Sequence, residues 1–85
     1  MGVAMEFKVG MIVKSIAGHD KGRFYVILKM DGNRAQIADG KLRKIEKPKS
    51  KNFIHLARSS KIVDLNSFKT NKSLRVFLNS YNFCN

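Results

Sequence analysis

The residues in this chain best suited to chemistry are cations, and the chemistry they suit is the holding of phosphate. Residues 41–51 carry six basic side chains (Lys41, Arg43, Lys44, Lys47, Lys49 and Lys51) against Glu46 alone. A second group is Gly18-His19-Asp20-Lys21-Gly22-Arg23. There, two glycines let the backbone approach an anion closely, while Lys21 and Arg23 supply charge beside exposed amides and His19 adds a polar ring. The loop lacks the Gly-Lys-Ser/Thr ending of a nucleotide-hydrolysing phosphate loop. Lysine ammoniums track phosphates as point charges, whereas Arg34 and Arg43 can grip one through two parallel N–H donors. The plainer alternative is a tight turn and a solvated face that keep the protein soluble. Against it stands the shortage of acids, because an inert surface mixes both signs.

Other chemistries find little to stand on. His19 and His55 are far apart and make no metal-ligand spacing with Cys84. The six acids are scattered, no Ser-His-Asp order or nucleophile elbow appears, and no enzymatic site, metal or cofactor is expected. The single thiol cannot staple a secreted fold, so a reducing, cytoplasmic setting is expected, with Cys84 a terminal thiol without a role. No apolar run approaches a membrane span, and Glu6 stands where an N-myristoylation signal wants Ser or Thr. Seventeen Lys and Arg against six Asp and Glu leave a formal charge of +11. A compact chain with that charge repels itself, so the excess points to a polyanionic partner, nucleic acid before membrane. The excess is uneven: residues 1–40 hold six basic and four acidic side chains, and residues 52–85 hold five basic ones and only Asp64.

Eighty-five residues make one small domain. Residues 11–17 read as a strand ending in the Gly18–Gly22 turn, and residues 23–30 as a second. In the second, Phe24, Val26, Leu28 and Met30 alternate with Tyr25, Ile27 and Lys29, so both faces are apolar and the strand is largely buried. Asp31-Gly32-Asn33 signals a hairpin of type I′ chemistry into a third strand at 34–38. Asp39-Gly40 marks another turn before a strand at 41–45, with Leu42 inward. Pro48 then interrupts pairing within a flexible lysine-rich loop. Residues 53–56 supply a last short strand that closes a barrel against the first. Leu74, Phe77, Leu78 and Tyr81 recur at helical spacing, with Thr70 or Asn71 as N-cap. So short a helix is marginal alone and must pack on the barrel. The expected plan is mainly β: an extension over 1–7, a barrel of about five antiparallel strands over 8–57, a connector over 58–69 and a helix over 70–82. Tyr25 and Phe53 are the aromatics nearest the basic elements, yet nearly all eight aromatics fall at core-like spacings.

This pattern resembles the KOW domain, an SH3-like barrel of ribosomal proteins and NusG-type transcription factors. The resemblance is carried by Val9-Gly10-Met11-Ile12-Val13-Lys14-Ser15, the loop Gly18-His19-Asp20-Lys21-Gly22, and Arg23-Phe24-Tyr25-Val26-Ile27. The segment from Asp31 to Gly40 is similar to the L-fourteen-e type of large-subunit ribosomal protein. The stretch Ala38-Asp39-Gly40-Lys41-Leu42-Arg43-Lys44, with Lys47-Pro48-Lys49 and Lys51-Asn52, looks like short KOW-domain RNA-binding proteins of low-GC bacteria. Phe24 and Tyr25 stand where many KOW motifs place a further Gly, which makes a NusG-type role the weaker fit. The resemblance covers residues 8–56 and implies a role in translation, as a ribosomal or ribosome-associated protein. It would be monomeric when free and would bind rRNA beside neighbouring ribosomal proteins. The implied contacts are His19, Lys21, Arg23, Arg34, Lys41, Arg43, Lys44, Lys47, Lys49 and Lys51. The alternative it leaves open is a protein-interaction module in a transcription or translation complex.

Overall fold

The computed structural model describes residues 7–82. Cys84 and Glu6 lie outside the described residues. Five antiparallel strands form one sheet: β1 (Ile12–Ser15), β2 (Phe24–Asp31), β3 (Arg34–Ala38), β4 (Lys49–Asn52) and β5 (Leu56–Ala57), in the order β4-β3-β2-β1-β5. One helix, α1 (Asn71–Asn82), follows. The architecture is mainly β with a C-terminal helix, as the residue pattern predicts. It is consistent with a small SH3-like barrel left open, since β4 and β5 stand at opposite edges of the sheet.

The double-sided reading of β2 holds from Phe24 to Leu28, whereas Lys29, Met30 and Asp31 are exposed beyond a register shift after Ile27. Successive side chains leave opposite faces of a strand, and here each face has its own core. Phe7, Met11, Val13, Tyr25, Ile27, Ala35, Ile37, Phe53 and Leu56 form the core on one side. On the other side Ile12, Val26 and Ala38 meet Leu74 and Leu78 of α1, all 0–1% exposed. Burying each such leucine stabilises by about 1.5–3 kcal/mol, which a three-turn helix needs because it is marginal alone. Phe7 belongs to the first of these cores rather than to an extension: it is 2% exposed and its ring lies 4.7 Å from that of Phe53.

Four local expectations are corrected. The hairpin after β2 is not type I′, because Gly32 alone has positive φ (60°) there; that is the type II′ pattern. Residues 41–45 form no strand but an irregular loop, and Leu42 is 57% exposed rather than inward. Residues 49–52, expected in a flexible loop, pair with β3 from Arg34↔Asn52 to Ile37↔Lys49. Phe53–His55 is a 3-10 turn capped by Asn52, and only Leu56–Ala57 pairs with β1. Pro48 immediately precedes β4, a position that needs no ladder donor.

Two asparagines pin α1, one to the loop between β3 and β4 and the other to β2. Asn71 Oδ1 accepts from Ile45 N (2.8 Å), and its Nδ2 donates to Glu46 Oε1 (2.7 Å). Asn82 Oδ1 accepts from Phe24 N (2.8 Å) and its Nδ2 donates to Phe24 O (3.4 Å). Thr70 is the N-cap, its Oγ1 accepting from Ser73 N at 3.1 Å.

Candidate nucleic-acid interface

The loop between β3 and β4 is shaped by one carboxylate. Asp39, 1% exposed, accepts at Oδ1 from the backbone amides of Lys41 and Arg43, both at 2.9 Å. Arg43 O accepts in return from Asp39 N and Gly40 N. The chain is thereby turned back on itself, and Lys41, Leu42, Arg43 and Lys44 are all exposed. Short acidic side chains that capture nearby amides compete with sheet ladders in just this way. Gly40 has φ +79°, and a Cβ there would overlap the carbonyl oxygen of Asn71 and crowd Arg75 N at 2.9 Å. The basic loop is thus seated directly on the first turns of α1.

The other loop is organised by Asp20. Its Oδ1 accepts from Ser15 Oγ (2.8 Å) and Lys51 Nζ (2.9 Å), and its Oδ2 from Tyr25 Oη (3.0 Å), with Lys49 Nζ at 3.4 Å. Burial alone would raise the Asp20 pKa. The hydrogen bonds from Lys51, Ser15 and Tyr25 and the charge of Lys51 outweigh it, holding the carboxyl well below the usual carboxylate range. The same contact, with burial as the larger cause, pushes the Tyr25 phenol far up. Gly18 and Gly22 carry the positive φ values (87° and 94°) that let the chain wrap around this carboxylate.

Between the two loops opens a cleft of about 430 Å³ lined by His19, Asp20, Arg23, Tyr25, Leu42, Arg43 and Lys49. Arg23 Nη2 donates to Asp39 Oδ2 at 3.0 Å, tying one loop to the other, while its buried Nε has no hydrogen-bond partner among the described residues. The cleft therefore unites His19 and Arg23 of the first loop with Arg43 of the second and Lys49 of β4. Lys21, Lys41, Lys44 and Lys47 are exposed on the same loops.

Two of the expected contacts stand elsewhere. Lys51 is buried, its ammonium donating to Ala17 O (2.8 Å) and Asp20, so it presents no charge at the surface. Arg34 is exposed at the hairpin end of β3, bonded to Ser50 Oγ and O, away from the cleft lining. Tyr25 and Phe53, 1% and 3% exposed, offer no ring for stacking. Lys72 and Arg75, both exposed on the turns of α1 that cover Gly40, were not among the expected contacts. Their helical spacing, with Arg75 on the flank of the Leu74–Leu78 face and Lys72 on the far side, is the signal that would have shown them exposed. Among the described residues, no group of three or more His, Cys, Asp or Glu could hold a metal. No described helix is long and apolar enough to cross a membrane. No protein-family model matches the chain, and no curated protein matches it.

Proposed function

We propose that this protein binds structured RNA through phosphate contacts from the paired loops 18–23 and 39–47, helped by Lys72 and Arg75 of α1. One observation carries the reading. Lys21, Lys41, Arg43, Lys44 and Lys47 are exposed on the two loops that flank the cleft, while Asp20 and Asp39 are buried and satisfied internally, leaving Glu46, bonded to Asn71, as the one exposed acid of those loops. Five exposed cations against one exposed acid give this surface a positive field suited to a phosphate lattice. The lysines give orientation-tolerant contacts and Arg43 a forked one, which fits recognition by shape rather than by sequence. Ribosomal RNA, met in the cytoplasm, is the target implied by the resemblance of residues 8–56 to KOW-domain proteins of the L-fourteen-e type.

The test is sedimentation of cell lysate through sucrose at moderate salt, with and without RNase. The expected result is co-migration with ribosomal particles that RNase abolishes. Stable association with a protein complex after RNase digestion would overturn the proposal in favour of a protein-interaction module.

A further inference from the structure

Resting on the RNA-binding reading, we infer that the cleft between the two loops receives one unstacked nucleotide of the bound RNA. Its base lies against Leu42 and its phosphate meets Arg43 and Lys49. The volume of about 430 Å³ falls within the usual range of small-ligand sites. A regular helix, read only through its phosphates, needs charges on an open face and has no use for a concave site with an apolar wall.

The wall is Leu42. A lone exposed leucine is ordinary on a protein surface. This one, 57% exposed, stands between Lys41 and Arg43 at the edge of a cationic cleft. Its loop is fixed by four hydrogen bonds, two from amides to Asp39 Oδ1 and two to Arg43 O. A rigid apolar surface beside cations suits a base joined to a phosphate.

The charge balance agrees. Asp20 lines the cleft, but both its oxygens are occupied by Ser15, Tyr25 and Lys51. Lys49 lies farther from it, at 3.4 Å against 2.9 Å for Lys51, and is partly exposed. An ammonium has three donors, so Lys49 keeps capacity for a phosphate oxygen, and Arg43 is exposed beside it. RNA loops and bulges offer unstacked nucleotides of this kind.

The experiment compares a hairpin RNA bearing one bulged fluorescent adenine analogue with its fully paired counterpart, by anisotropy and analogue emission. Wild-type protein is expected to bind the bulged RNA roughly tenfold tighter, with a change in emission. Leu42→Ala, at an exposed position, is expected to bind both RNAs as wild type binds the paired one. Equal wild-type affinities, or a preference unchanged in Leu42→Ala, would overturn the inference while leaving RNA binding intact. Failure to bind either RNA would overturn the RNA reading itself. In that case adenosine monophosphate is titrated: binding lost in Leu42→Ala retains the cleft as a site for a free nucleotide, and no binding removes the site altogether.

Discussion

Lys51 Nζ lies 2.9 Å from Asp20 Oδ1, and both side chains are less than a tenth exposed (8% and 9%). One lysine of a basic run has therefore become part of the interior, while Lys44 and Lys47 remain exposed. Removing one partner of a buried pair leaves the other charge stranded. Lys51→Met is expected to cost about 3–5 kcal/mol of unfolding free energy in urea denaturation. Lys47→Met, by contrast, should stay within about 0.5 kcal/mol of wild type.

The pair also sets the acid limit of the fold. The Asp20 pKa is depressed on folding, so its stabilisation is complete above the ordinary value of 3.8 and is lost as pH falls through the lower, folded value. Tyr25 works at the other end. Its folded pKa is raised, so its contribution is complete below 10.0 and is lost as pH climbs through the folded value. Thermal melts across pH should show both declines. Asp20→Asn should flatten the acid limb, and Tyr25→Phe the alkaline one. An acid limb unchanged in Asp20→Asn would contradict this assignment.

Gly40→Ala tests the seating of the basic loop on α1. The new methyl meets the Asn71 carbonyl at a backbone φ of +79°. Overpacking and the left-handed backbone together are expected to cost about 2–4 kcal/mol. Hydrogen exchange should show the amides of Leu74 and Leu78 losing more protection than those of β2.

Reversing Lys41, Arg43 and Lys44 to Glu should abolish ribosome co-sedimentation without unfolding the protein, because all three side chains are exposed. For wild type, neutralising about five phosphates predicts a roughly few-hundred-fold loss of RNA affinity between 50 and 200 mM salt. Filter binding across a salt series measures the slope, and a salt-insensitive affinity would count against phosphate contacts.

Much of this was legible in the residues. β1, β2 and β3 stand where alternation and turn chemistry place them, and the helical spacing of Leu74, Phe77, Leu78 and Tyr81 locates α1. The loop after β3 was not legible. Lys41-Leu42-Arg43 alternates like a strand, and nothing local reveals that Asp39 captures two of its amides. Lys51 was hidden for a different reason. Alternation puts it on one face with Lys49, but its inward turn depends on Asp20, 31 residues away. The cleft is likewise a product of tertiary structure, formed where two distant loops meet.

The two asparagines on α1 give the helix the property of a ruler. Asn71 engages the chain at Ile45 and Asn82 engages Phe24, so both ends are read against fixed marks. Each added residue lengthens a helix by about 1.5 Å and turns it by about 100°. An insertion between the marks would leave only one of them in register, and change elsewhere in α1 is tolerated only if it preserves the count.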